Sequence, residues 1–216
     1  MTIIEDSIEI AGEFLTIANQ RTVFWAGEKA LILSDIHVGK AAHFRKNGIA
    51  MPQNMLQSDL KRLSELIAHY APEKLFIVGD LLHAGSNSEV DFFCRWKESY
   101  QHLEFHLITG NHDRISKTLS EKLCLSSQVP MAEFDGFLLS HDYLPNQQKF
   151  QINGHIHPGV LLKNSVKTIR LPAFACTKNQ LILPAFSEFT GLDVRNTPGK
   201  GNFWLCTKDN LYHIRK

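Results

Sequence analysis

Ala30-Leu31-Ile32-Leu33-Ser34-Asp35-Ile36-His37 decides the reading: four apolar residues in a row, then a carboxylate and an imidazole two positions apart. A short continuous apolar run is consistent with a strand buried on both faces. The same arrangement recurs along the chain. Phe76-Ile77-Val78 runs into Gly79-Asp80, and His106-Leu107-Ile108-Thr109 into Gly110-Asn111-His112-Asp113. Phe137-Leu138-Leu139-Ser140 runs into His141, and Gln151-Ile152-Asn153 into Gly154-His155-Ile156-His157. Five strands therefore each deliver polar residues at a carboxyl end, the edge at which open α/β sheets bind ligands.

Around these segments the pattern alternates. Ser7 to Ile10, Phe14 to Ile17 and Thr22 to Trp25 read as a small antiparallel start. Pro52 suits the first turn of a helix that places Leu56, Leu60, Leu63 and Ile67 at helical spacing and ends near Ala71-Pro72. Val90 to Tyr100 reads as a second helix, and Ser116 to Leu123 as a short third. From Val129 onward the chain is mostly strand: Val160 to Leu162, Ile169 to Ala175, Leu181 to Leu183, and a final hairpin from Phe203 to Ile214. Strand–helix alternation followed by strands predicts an α/β sandwich, with sheets packed at the centre and helices outside. No internal repeat or long linker divides the 216 residues, so positions 1–216 are taken as one domain.

Composition narrows the function classes. A net charge of +1 leaves no global electrostatic footprint for nucleic acid, so any such binding must come from a local patch. Cys94, Cys124, Cys176 and Cys206 form no C-x-x-C pair, which argues against a zinc knuckle or a disulfide framework. No apolar run reaches the length of a membrane span. The opening MTIIEDSIEIAGEF lacks a basic region followed by an apolar stretch, so it does not read as a signal peptide, and a cytoplasmic location is expected.

The residue types at the strand ends suit divalent metals. Ions that activate water for phosphate-ester cleavage take carboxylate, imidazole and amide oxygen donors. Asp35-x-His37 lets one turn aim both side chains at an ion, and His155 and His157 can each address a different ion of a pair. A carboxylate such as Asp80 can bridge two ions held roughly 3.5–4 Å apart. Each fragment is weak alone; the ordered series D-x-H, G-D, G-N-H-D, H, G-H-x-H is specific.

That series, from Ala30 to about His157, resembles the calcineurin-like metallophosphoesterase superfamily. The resemblance implies a four-layer α/β/β/α sandwich of central mixed sheets flanked by helices. It implies a first metal held by Asp35, His37, Asp80 and His157, and a second held by Asp80, Asn111, His141 and His155. It also gives His112 a role beside the leaving group, with Asp113 orienting its ring. His141 follows Ser140 where the family more commonly has glycine. Ser34 to Arg45, Leu171-Pro172-Ala173-Phe174 and Leu183 to Gly191 are similar to the ligase-associated DNA damage response endonuclease group, PdeM. That similarity implies a DNA-repair enzyme working beside a ligase or helicase.

The expected reaction is attack on phosphorus by a hydroxide between two divalent ions, with His112 as general acid. Mixed nitrogen and oxygen donors suit manganese, iron or zinc better than calcium, and the family resemblance favours manganese. Lys40, Arg45 and Arg114 are candidate substrate contacts; for Lys40, Arg45 and Lys46 an exposed loop and helix approach is an equal alternative, and for Arg114 a structural pairing with a carboxylate is slightly preferred. His83 could line the pocket, although the ligand set is complete without it. Three functions fit: a phosphodiesterase or nuclease on DNA, a phosphoesterase for a small nucleotide or metabolite, and a non-catalytic scaffold. The last is disfavoured because no expected ligand is missing.

Overall fold

The computed structural model describes residues 1–52, 54–83, 85, 87–163 and 167–216. β1 (Glu5–Ile10), β2 (Glu13–Ala18) and β3 (Thr22–Trp25) form an antiparallel meander that delivers the chain to β4 (Ala30–Leu33). From β4 the pairing turns parallel, through β5 (Lys74–Val78) and β6 (Glu104–Ile108) to β7 (Ser127–Val129). The crossovers carry α1 (Lys40–Lys46) and α2 (Met55–Tyr70), then α3 (Ser88–Lys97), then α4 (Lys117–Leu123).

The remaining strands are β8 (Met131–Glu133), β9 (Phe137–Ser140), β10 (Phe150–Asn153), β11 (Gly159–Lys163), β12 (Thr168–Cys176), β13 (Gln180–Ile182), β14 (Asn202–Cys206) and β15 (Leu211–Arg215). They build a second mixed sheet in the order β15-β14-β12-β13-β10-β9-β8, with β11 paired to β12. In it β10 runs parallel to both β9 and β13.

The apolar runs are buried on both faces, as a period of two requires. Leu31, Leu33, Leu75, Ile77, Phe105 and Leu107 face the layer of α2, α3 and α4, whose Leu60, Leu63, Val90, Phe93 and Leu119 complete that core. The alternate residues Ala30, Ile32, Phe76, Val78 and Ile108 point the other way, into a core shared with Phe137, Leu139, Ile152, Phe174, Leu181 and Trp204 of the second sheet. A fully buried side chain such as Leu63 or Phe93 contributes about 1.5–3 kcal/mol relative to exposure.

The two mixed sheets and outer helices are those of the expected sandwich. The helical layer lies on the first sheet, and among the described residues none after Leu123 is helical. On the outer face of the second sheet Ala173, Ala175, Ile182, Phe203 and Leu205 form a smaller core. Chain segments close it: Lys216 lies over the Phe203 ring, and Gly159 donates to the Asp193 carbonyl and to Thr197 Oγ1.

Two local expectations shift. Pro52 precedes the helix rather than opening it: α2 begins at Met55 after Asn54, and the Pro52 carbonyl accepts from Arg45. Lys40–Lys46, for which an exposed loop and helix approach was one reading, is itself helical and forms α1 behind Gly39, whose φ is 91°. The adjacent Ala41 and Ala42 favour the helix.

Asn87 caps α3, its side-chain oxygen accepting from the N–H groups of Glu89 and Val90 at 2.9 and 3.2 Å. Asn87→Ala should cost about 1 kcal/mol, seen as a lower urea midpoint at unchanged slope. Among the described residues, no helix is long and apolar enough to cross a membrane.

Candidate metal centre

The carboxyl ends of β4, β5, β6, β9 and β10 meet at one edge, where the backbone is held in an unusual form. Asp35, His37, Asp80, His155 and His157 have φ of 56°, 53°, 50°, 68° and 53°. Left-handed backbone outside glycine costs of order 1–3 kcal/mol and clusters at functional sites. Cross-bracing maintains it: Asp35 N–H donates to Gly79 O at 3.0 Å, and His37 N–H to Asp80 O at 2.9 Å. The second sheet is tied in where His155 N–H donates to Asp35 Oδ2 at 3.3 Å and Gly154 N–H to His141 O at 3.1 Å.

Two glycines are required by this closeness. A Cβ on Gly79, whose φ is 82°, would lie 1.8 Å from His141 Nδ1. A Cβ on Gly110 would lie 2.3 Å from Asp80 Oδ1.

The side chains form two groups. Asp35, His37 and His157 present ligand atoms within 4.8 Å of one another, and so do Asp80, His141 and His155. In the first, His157 Nε2 lies 3.1 Å from Asp35 Oδ1. Neither of those atoms has a hydrogen-bond partner, and nor has either ring nitrogen of buried His37. Such orphaned polar atoms each cost about 1–3 kcal/mol. One such atom from each of Asp35, His37 and His157 comes together in this trio, which fits a cation. Burial drives the His37 imidazole down to about 3 despite the pull of Asp35, so the ring is neutral and able to donate a lone pair.

In the second group, His141 Nε2 stands 3.4 Å from Asp80 Oδ1 and 3.1 Å from Asn111 Oδ1. His155 Nδ1 is 3.1 Å from Asn111 Oδ1 and 3.1 Å from His141 Nε2. The Val78 carbonyl lies 3.2 Å from His141 Nδ1, so Nδ1 carries the proton and Nε2 faces the cluster. Burial raises the Asp80 carboxyl, but His141 and the His112 N–H, which donates to Asp80 Oδ1 at 3.0 Å, outweigh it and hold it below the usual carboxylate range. Burial lowers His141, while the bond to Asp80 and the charges of Asp35 and Asp80 carry it up to about 9. Asp35, His37, Asp80, Asn111, His141, His155 and His157 thus lie together, with a donor chemistry that fits two divalent ions.

The other predicted residues divide. His112 is exposed at the rim, its ring stacked on His83 with centroids 5.2 Å apart and edge-on to His37. Asp113 does not orient that ring. Its two oxygens accept from the N–H groups of Leu82 and Gly110, at 2.9 and 2.8 Å, because the tight turn from Gly110 folds the carboxylate back onto the backbone. Asp113 therefore fixes the loop that carries Asn111 and His112.

Lys40 is half-buried, near enough to Asp35 and Asp80 to feel their charge, and beside His37, Asp59 and Ser187 in a small cavity. Arg45 is committed to Glu89 at 2.7 Å and to the Pro52 carbonyl, so it braces α1 against α3. Arg114 forms no ion pair among the described residues and lines a cavity of about 390 Å³ with His43, His83, Asn111 and His112.

Sequence reasoning passed over Asp142, Asp59 and Ser187. Asp142 Oδ1 lies 3.5 Å from His155 Nε2, on the side of the ring away from Asn111, and its only signal was adjacency to His141. Asp59 carried a clearer one: a carboxylate on the apolar stripe of α2, between Leu56 and Leu63.

A cation binding only the folded chain stabilises it by about 2.7 kcal/mol at 100 times its Kd. Manganese added after chelator treatment should therefore raise the thermal midpoint by several degrees. An imidazole with pKa near 9 is protonated at neutral pH, and the ion must displace that proton. The gain should grow as pH rises from 6 towards 9, read by scanning fluorimetry in matched buffers.

Residues 29–193 match the family model of the calcineurin-like phosphoesterases. The structure is similar to that of the Pseudomonas putida nuclease MPE, at a TM-score of 0.82 and 27% sequence identity, over 98% of this chain and 100% of that one. It also matches Yfce, a phosphoesterase from E. coli, at a TM-score of 0.46 and 17% identity, over 86% of this chain and 98% of that one. No curated protein matches the sequence.

Proposed function

The chain belongs to the calcineurin-like phosphoesterase family, and from that premise we propose that it is a two-metal phosphodiesterase that cuts nucleic acid. That it is a metal-dependent phosphoesterase follows from the family; the substrate and the residue roles are the proposal. One observation carries it: the buried, unpartnered atoms of Asp35, His37 and His157 converge beside the Asp80–His141–His155 trio and Asn111.

Asp35, His37, Asp80 and His157 would hold one ion, and Asp80, Asn111, His141 and His155 the other. Manganese is the expected metal, with iron or zinc as alternatives. When bound, the ions supply the Lewis acidity that activates water and neutralises phosphoryl charge. The protein's own groups do the rest. His112, exposed beside the trios, gives a proton to the departing oxygen. His83 restrains the His112 ring by stacking, and Asp113 holds the loop beneath it. Lys40, beside His37, and Arg114, in the cavity with Asn111 and His112, would contact non-bridging phosphate oxygens.

The likeness to a bacterial nuclease supports a nucleic-acid substrate. The segments from Ser34 to Arg45 and from Leu183 to Gly191, similar to the ligase-associated group, support DNA in repair. A second reading, a phosphodiesterase for a small nucleotide or metabolite, rests on the 390 Å³ cavity beside His112, whose size suits one nucleotide.

A panel with manganese separates the two: bis(4-nitrophenyl) phosphate, 4-nitrophenyl phosphate, cyclic nucleotides, single-stranded DNA, duplex DNA and RNA. The proposal expects diester over monoester and cleavage of DNA. Turnover of small esters with every polynucleotide left intact would transfer the assignment to the second reading.

A further inference from the structure

Beyond the metal centre, a second cavity of about 500 Å³ is lined by Arg21, Lys61, Arg62 and Lys208, with Glu65 and Glu188 the carboxylates in its wall. Resting on the nucleic-acid reading above, we infer that this cavity is a phosphate subsite, which holds the backbone of the substrate strand flanking the bond to be cut.

The charges are not balanced internally. Glu65 is taken by the amino terminus at 3.1 Å and Glu188 by Arg62 at 2.7 Å. Arg21, Lys61 and Lys208 form no ion pair among the described residues. Arg21 is held by carbonyl oxygens alone, Nη1 donating to Ala185 O at 3.2 Å and Ser187 O at 3.1 Å. A half-buried guanidinium with no carboxylate in direct contact is partly desolvated, and an anion would complete it. Burial and the neighbouring charge of Arg62 lower its pKa, outweighing the charges of Glu188 and Asp59. Arg62 is 8% exposed, and its Nε has no hydrogen-bond partner.

Position ties the cavity to the reaction. Arg62 also donates to the Phe186 carbonyl, so three successive carbonyls, Ala185 to Ser187, anchor the two guanidinium groups. The same strap pairs with the end of β4: Phe186 N–H donates to Ser34 O at 2.8 Å and Ser187 N–H to Asp35 O at 3.3 Å. The segment from Ala185 to Ser187 therefore contacts both regions, its carbonyls holding the two arginines and its N–H groups bonded to Ser34 O and Asp35 O. Asp59 joins the two regions as well, accepting from Arg62 at 3.2 Å and lining the small cavity with His37 and Lys40. Cations on α2, on the β2–β3 turn and on the β14–β15 turn suit a chain of phosphates.

The test uses the exposed lysines, whose loss leaves the fold and the metal centre alone. K61Q/K208Q should melt at the wild-type temperature and hydrolyse bis(4-nitrophenyl) phosphate at the wild-type rate. Its binding of a fluorescein-labelled oligonucleotide should weaken roughly tenfold at about 0.1 M salt. The slope of log K against log salt should fall by about two, one per lost phosphate contact. Cleavage of the oligonucleotide should fall in kcat/KM to match. Wild-type affinity, slope and cleavage in the variant would overturn the subsite and leave the nucleic-acid reading standing. Equal losses on the oligonucleotide and the small diester would also overturn it, by placing the effect at the metal centre. A wild-type enzyme that turns over the small diester but neither binds nor cuts oligonucleotides would remove the nucleic-acid reading, and the subsite with it.

Discussion

Asp80→Asn should lower phosphodiester turnover by at least about 100-fold and leave the protein short of metal. Replacing even a partner behind a ligand costs about 10–100-fold, and Asp80 faces the cluster directly, with Oδ1 3.4 Å from His141 Nε2. The substitution is unusually clean. Asparagine adopts the left-handed backbone readily, so the φ of 50° at this position is retained. The side-chain oxygen can still accept the His112 N–H. What disappears is the negative charge, the feature a carboxylate shared by two cations supplies. Metal analysis after gel filtration and turnover of bis(4-nitrophenyl) phosphate read the two effects separately. Full activity with two ions bound per chain would sink the assignment of Asp80.

His112→Ala should keep its metals and lose about 10²–10⁴ in kcat, the range of a positioned general acid. The link from His112 to the cluster is its backbone N–H, which donates to Asp80 Oδ1 at 3.0 Å and survives truncation of the ring. The deficit should be smaller for a nitrophenolate leaving group, which departs without a proton, than for a nucleotide alkoxide. A uniform loss across leaving groups, or loss of metal, would make His112 structural. His83→Ala should give a milder version, because His112 keeps its place in the chain and loses only the stacking face 5.2 Å away.

Much of this architecture could be read along the chain. β4, β5 and β6 were recognisable as runs of apolar residues buried on both faces, and alternate side chains do enter two different cores. α2 was visible from Leu56, Leu60, Leu63 and Ile67, all of them buried. Shorter elements left weaker marks. α1, β7 and β8 have seven, three and three residues, too few for a period to stand out. The surroundings of Arg45 and Arg114 were not legible, since each depends on groups elsewhere: Glu89 holds the first, and the second lines a cavity.

The order of residues by itself determined the longer strands around the centre, which of their ends carry carboxylate, imidazole and amide groups, and which glycines stand beside them. Those features depend on local periodicity and residue type. Only the tertiary structure decided that the ends of two separate sheets share one edge, with His155 N–H donating to Asp35 Oδ2 across 120 positions of chain. It alone turned the Asp113 carboxylate onto backbone N–H groups and brought Arg21, Lys61, Arg62 and Lys208 around one cavity. These juxtapositions arise from packing one twisted sheet on another, and a side chain's partner across such a contact leaves no periodic trace in the sequence.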